Sequence, residues 1–344
     1  MTPETASAAR ALSRISEIRL GFVNSQALHS AYELGVFEAL VDGPLPLEAL
    51  AEQINLAPVP CRRLLMVLVG IEVLAFDGER FSNTETGHYC TTAASVNVGA
   101  TTQLGSFFEM SRFLSDALRE NAPRWSQALG KSAEDAFASL YADPVELRRF
   151  AELMDAYSIT QGRVIAECYD FSDHHCLMDI AGGAGGQSLE ICARYPHLRG
   201  IVTDLAPVCA ITAERVEARG MSDRFTAIPA DLMAGPYPGG ADVILLGHIL
   251  HDWSDASCLT ILRNCSAALP QDGVLLISES VLAPDHSGTG SANLKDIIML
   301  LANESDARER TEQEYRELLD ATGFEIVELI RIDAPRDLLV ARKR

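Results

Sequence analysis

The sequence is short of the groups that staple, anchor or bind polyanions. Its eight cysteines, at 61, 90, 168, 176, 192, 209, 258 and 265, form no CxxC pair, and a chain of 344 residues has no need of disulfides to hold a core. They read as reduced core thiols. No run of about 18 uncharged apolar residues occurs, which excludes a membrane-spanning helix by hydropathy. The N-terminal stretch MTPETASAARALSR lacks the basic-then-apolar profile of a secretory signal, so the expected location is the cytoplasm. Basic residues are scarce: 28 Lys and Arg stand against 48 Asp and Glu, a formal net charge of −20. Such a surface repels nucleic-acid backbones and anionic membranes, and neither is expected as a partner.

Apolar residues, by contrast, make up 48% of the chain, enough for two cores at this length. Residues 8 to 40 carry Leu12, Ile15, Ile18, Phe22, Val23, Leu34 and Phe37 at helical spacing. Next come a turn, a short helix from Leu47, a helix from about Pro60 and a strand pair around Asp77 and Gly78. Helix, turn, helix and hairpin form a winged-helix pattern, which keeps a non-catalytic regulator open as a reading. The second helix, PVPCRRLLMVLVGIEVL, offers only Arg62 and Arg63 as cations, and is expected to be buried instead of entering a groove. Residues 101–170 read as a helical linker and pocket region after this 1–100 domain. Most of its aromatic and Met residues are expected to pack in cores, while Phe107, Phe108, Trp125, Phe150 and Met154, with Met299 further on, are candidates for lining an apolar ligand pocket.

From residue 171 the texture changes to short apolar runs. CLMDIAG, GIVTDLA, RFTAIPAD, ADVILLGHIL, GVLLISESV, FEIVELIRI and DLLVARK predict seven strands, with helices between the first five and a strand pair at the end. This is an α/β class with a doubly wound, Rossmann-like sheet, whose ligands sit beyond the carboxyl ends of the strands. The first strand ends in Asp179 and runs through Gly182, Gly183 and Gly185 into a helix, where glycines let a ligand approach the backbone. No Gly-Lys-Ser/Thr follows, which argues against a P-loop. Asp204 ends the second strand, placed to accept from ribose hydroxyls, and Asp231 ends the third. These features alone fit a nicotinamide cofactor as well as any other nucleotide-like one.

The fourth strand distinguishes them. It ends in GHILHDWSD, placing His248, His251, Asp252 and Trp253 where chemistry on this fold occurs. Together with AYELGVFEAL, CRRLLMVLVGIEVL, the glycine loop, SESVLAP and RERTEQEYRELLDATGF, in that order over nearly the whole chain, this resembles the caffeate, flavonoid and acetylserotonin type of S-adenosylmethionine-dependent O-methyltransferases, with their bacterial natural-product relatives. The resemblance implies a homodimer and a small-molecule acceptor of aromatic or polyketide-like type, as in antibiotic biosynthesis. It also implies that His251 is a general base held by Glu279 and Glu309, with Asp252 beside it. An imidazole poised by a carboxylate takes the proton of a phenol, whose pKa is about 10. The same resemblance puts the glycine loop at the methionine part of the cofactor, Asp204 and Leu205 at the ribose, Asp231, Leu232 and Met233 near the adenine, and Gly247, His248 and Trp253 close by. Asn303 resembles a family asparagine near the substrate, one residue out of register. Two departures stand out: Ala181 replaces the first glycine of the loop, and Gly247 stands where plant members often have lysine.

A carbon-methylating relative is the alternative reading. His248 and His251 lie three apart with Asp252 following, a spacing able to share a metal. No third histidine lies near Lys295 and Asp296 to complete such a site, and no metal is expected.

Overall fold

The computed structural model describes residues 2–102, 105–286, 291–332 and 336–344. The chain divides into two compact units, Met1–Leu104 and Gly105–Arg344. The region read from sequence as a separate helical segment therefore lies, from 105 onward, within the larger unit.

The smaller unit begins with α1 (Pro3–Glu33), capped by the Thr2 hydroxyl, followed by α2 (Val36–Ala39), β1 (Leu45–Pro46), α3 (Leu47–Gln53), α4 (Pro58–Gly70), β2 (Leu74–Phe76), β3 (Arg80–Asn83) and α5 (Glu85–His88). Its three strands form one antiparallel sheet in the order β1-β3-β2, the wing of the expected pattern with one strand more than the sequence suggested. Leu65 and Leu68 of α4 are fully buried with Phe37, Leu50 and Phe81. The opposite side of α4 leaves Val59 and Met66 exposed, so this helix is buried on one face, not all round. On α1 the apolar residues Leu12, Ile15, Ile18 and Phe22 are exposed.

The larger unit opens with α6 (Gly105–Ser111), α7 (Leu114–Glu120), α8 (Trp125–Leu129), α9 (Ala133–Ala142) and the long α10 (Pro144–Cys168), whose start is fixed by the Asp143 side chain and Pro144. The α/β part then runs β4 (Cys176–Ile180), α11 (Gly186–Arg194), β5 (Arg199–Asp204), α12 (Ala206–Ala218), β6 (Phe225–Pro229), β7 (Val243–Gly247), α13 (Asp255–Ala268), β8 (Val274–Glu279), α14 (Ser291–Ala302), α15 (Glu312–Asp320), β9 (Phe324–Ile330) and β10 (Asp337–Lys343). All seven expected strands are present in one sheet of order β6-β5-β4-β7-β8-β10-β9. β10 pairs antiparallel with both its neighbours, and the rest of the ladder from β6 to β8 is parallel. β4 and β8 are buried at every position, as strands covered on both faces must be.

Two expectations are corrected. No helix links β6 to β7, because Gly235, Pro236, Pro238, Gly239 and Gly240 crowd that connection with residues that end helices. Seven cysteines are buried, but Cys168 is exposed at the end of α10. The sequence order of the strands reverses between β4 and β7, so the crevice for a ligand opens between the glycine loop after β4 and the turn after β7. Among the described residues, no helix is long and apolar enough to cross a membrane.

Candidate active site

The turn that follows β7 is short and strongly held. Gly247 and His248 leave the strand, His248 with a φ of 64°, and Leu250–Asp252 form one 3-10 turn that buries His251. Two buried side chains from distant sequence pin it. One oxygen of Glu279, at the end of β8, accepts the backbone N–H groups of Ile249 and Leu250, both at 2.9 Å. The guanidinium of Arg310, fully buried, donates to the carbonyls of Leu250 and Trp253, both at 2.7 Å, and pairs with Asp255 at 2.9 Å. Buried polar groups of this kind are retained only when partnered, so the turn has little freedom to shift.

The second oxygen of Glu279 lies 2.7 Å from His251 Nδ1. An ionised carboxylate only accepts, so Nδ1 carries a hydrogen whichever state the ring is in, and Nε2 is the nitrogen whose proton can come and go. Glu309, the other acid implied by the resemblance, is at 3.7 Å from Nδ1, beyond hydrogen-bond reach, and its Oε2 has no partner. On the opposite edge, Asp252 Oδ1 approaches Nε2 to 3.2 Å and accepts from Asn303 Nδ2 at 2.6 Å. Burial disfavours the charged imidazole, but Glu279 and Asp252 outweigh it and push His251 up to about 10. Glu279 is drawn down despite its burial by His251 and Arg336, whereas burial raises Glu309. His248 is half-buried, with its Nε2 shielded from solvent and without a partner, and it is pushed down by desolvation and by Arg336. The His248 and His251 rings stack with centroids 6.4 Å apart. His251, Glu279 and Glu309 bring one donor atom each within 4.8 Å of one another, but the guanidinium of Arg336 already lies among them, so a cation is built in.

Across the crevice the glycine loop is shaped by its backbone. Ala181, Gly183 and Gly185 have positive φ, and a Cβ on Gly182 would meet the Asp179 carboxyl at 2.4 Å. The Asp204 carboxylate accepts from Gly183 N at 2.9 Å and Leu205 N at 2.7 Å, which ties the loop to the end of β5. Burial pushes Asp179 up to about 7, with the Ser188 hydroxyl donating to it at 2.6 Å. Gln187 lies against Gly247, where any Cβ would come within 2.4 Å of its amide, and its buried Oε1 has no partner. Asp231 is exposed and caps its own turn through Met233 N and Ala234 N, while Leu232, Met233 and Trp253 pack against the core beneath β7.

The pocket candidates divide. Trp125 donates from its indole to Ala302 O at 2.6 Å and packs with Met110, Ala117 and Leu301, so it joins α8 to α14. Met299 is buried and its sulfur contacts Asn303 Nδ2 at 3.0 Å. Phe150 and Met154 are half-buried on α10, and Phe107 and Phe108 are exposed on α6.

Residues 112–325 match the O-methyltransferase domain, and residues 16–93 the O-methyltransferase dimerisation domain. The chain belongs to the O-methyltransferase family. A 3-hydroxy-5-methyl-1-naphthoate 3-O-methyltransferase of Streptomyces sahachiroi is 32% identical to this O-methyltransferase over 324 residues, covering 93% of this chain and 92% of the relative. Acetylserotonin O-methyltransferase of Gallus gallus is 30% identical over 335 residues, 94% of this chain and 95% of the relative. The crystal structure of human N-acetylserotonin methyltransferase in complex with SAM matches with a TM-score of 0.88 at 27% identity, over 97% of each chain.

Two residues that hold the His251 turn of this O-methyltransferase escaped the sequence reading. Arg310 lies inside the RERT motif but carries no chemistry of its own, so its role as a pin for the His251 turn is visible only in three dimensions. Arg336 sits beside β10, 85 positions from His251, and no pattern in the sequence joins them.

Proposed function

We propose that this chain transfers the methyl group of S-adenosylmethionine to a hydroxyl of a small aromatic or polyketide-like molecule, with His251 as the general base. The observation that carries this is the polarised imidazole: Nδ1 is committed to Glu279 at 2.7 Å, so the proton that comes and goes is the one on Nε2, beside Asp252. The residues opposite fit the cofactor. Asp179 and Asp204 end adjacent strands beside a loop with open backbone, and the partnerless Gln187 Oε1 lies between that loop and Gly247, an arrangement that suits a ligand with a cationic end and a ribose diol. When bound, the cofactor supplies an electrophilic methyl on a positively charged sulfur.

The chain's own part is positioning and proton transfer. Asp252, held by Asn303, occupies the side of Nε2 that the incoming hydroxyl must approach. His251 takes the hydroxyl proton at Nε2 while Glu279 keeps Nδ1–H in place and balances the imidazolium. With His251 near 10 and a phenol at about 10, the proton moves between groups of similar affinity. Only the neutral imidazole accepts, so kcat/KM rises with pH below the His251 midpoint. Placing the acceptor oxygen against the methyl supplies much of the remaining rate.

The test combines calorimetric titration with S-adenosylmethionine and its demethylated product with a methyl-transfer screen over hydroxynaphthoates, hydroxyindoles and 2-oxo acids. His251→Ala is expected to bind the cofactor as the wild type does and to lose at least about a hundredfold in turnover of a phenolic acceptor. No cofactor binding, or undiminished turnover by the variant, overturns the reading.

We also propose that the chain works as a homodimer, because Leu12, Ile15, Ile18 and Phe22 leave an apolar stripe exposed on α1. Sedimentation is expected to show twice the chain mass of 37.3 kDa, and a stable monomer at micromolar concentration rules the dimer out.

A further inference from the structure

We propose that Arg336 is a positioning residue for the proton transfer: its guanidinium pairs with Glu279 and Glu309 beside the Nδ1 edge of His251, which makes one buried cluster with a fixed charge balance. Its Nη1 lies 3.2 Å from His251 Nδ1, 3.2 Å from Glu279 Oε2, 3.4 Å from Glu309 Oε1 and 3.4 Å from Ser280 Oγ. The residue is anchored from behind, since Gln161 of α10 donates to its backbone carbonyl at 3.1 Å. Both carboxylate side chains are fully excluded from solvent, and the arginine side chain is 12% exposed.

The charge count explains why a cation is needed there. Two buried carboxylates beside a neutral imidazole carry two negative charges, which burial penalises strongly. Without a fixed cation the cluster holds a proton, on Glu309 or on His251, to still higher pH, and the free base is rarer. Below the His251 midpoint the imidazolium and Arg336 together balance Glu279 and Glu309, and when His251 gives up its proton to become the base Arg336 limits the cluster to one negative charge. The guanidinium never gives up its own proton, so it holds this balance at every working pH. The other groups facing the imidazole do not substitute for it. Asp252 is a carboxylate, and His248 from the same turn is kept neutral by burial. Tyr315 of α15 is buried with its hydroxyl partnerless and its ionisation suppressed. Lys295 of α14 donates to Ser280 Oγ at 2.9 Å and adds to the positive field on Glu309, but burial weakens its hold on its own proton.

This inference rests on His251 being the proton acceptor, and its test separates the two. Histidine-labelled protein is titrated by nuclear magnetic resonance without substrate, with His251→Gln used to assign the resonance. Arg336→Met and Arg336→Gln are expected to raise the His251 midpoint by about one unit or more, as loss of an adjacent charge does, while Arg336→Lys stays close to wild type. The same neutral variants are expected to lose about tenfold in kcat/KM at neutral pH on a hydroxynaphthoate probe, one unit being a factor of ten in neutral imidazole. If Arg336→Met does not fold, Arg336→Gln carries the measurement, since its amide retains hydrogen bonds to the carboxylates. An unmoved midpoint in a folded neutral variant overturns the role of Arg336. Full activity in His251→Ala instead removes the base, whatever Arg336 does to the titration.

Discussion

The two sides of the crevice are built from different materials. After β4 the chain is shaped by backbone: positive φ angles, a glycine pressed against Asp179, and amide hydrogens given to Asp204. After β7 it is shaped by buried charge: Glu279 and Arg310 pin a single 3-10 turn, and Asp252, Glu309 and Arg336 surround the imidazole that the turn presents. The difference matches the tasks proposed for the two sides. A cofactor with many weak contacts needs a surface that fits it, whereas a proton acceptor needs its tautomer and its orientation set by a few strong ones.

If charge governs the β7 side, the largest effect should follow from changing Glu279 with its shape preserved. Glu279→Gln keeps an oxygen for the Ile249 and Leu250 amides and turns an NH2 toward His251 Nδ1. That favours the tautomer with hydrogen on Nε2, leaving no lone pair for the acceptor. Turnover is expected to fall by roughly a hundredfold or more with cofactor affinity unchanged. Turnover within tenfold of wild type would break the contrast between the two sides.

A smaller effect is expected at Asp252. Its carboxylate, 3.2 Å from Nε2, helps to hold His251 near 10, so Asp252→Asn should let the imidazole lose its proton more easily. Because the base acts when neutral, the rising limb of kcat/KM against pH should move down by about one unit. A limb that stays in place would show that Asp252 does not bear on the proton.

The smallest effect belongs to the backbone side. Ala181 has a φ of 51°, in the left-handed region that costs a residue with a Cβ about 1–2 kcal/mol. Ala181→Gly relieves this but frees the unfolded chain, so the net gain is expected at about 1 kcal/mol or less. Denaturant unfolding followed by fluorescence reads it directly, since Trp125 and Trp253 both lie in the larger unit. A loss of stability would mean that the loop uses the alanine methyl.

The sequence by itself determined the seven strands and the glycine loop, and its resemblance to a family singled out His251, Glu279 and Asp252, which the fold brings together. Most of these are local: apolar runs of strand length, glycines at a strand end, and a His251-Asp252 motif contiguous with β7, whereas Glu279 ends β8. It failed where the determinant was a density of Gly and Pro, as between β6 and β7, and it could not tell that Glu279 lies 2.7 Å and Glu309 3.7 Å from His251 Nδ1. Only the tertiary structure decided that Asn303 meets Asp252, that Gln187 fills the space over Gly247, and that Arg310 and Arg336 reach the His251 turn. Such contacts join residues tens of positions apart through side-chain reach and burial, and periodicity and spacing along a chain carry no record of either.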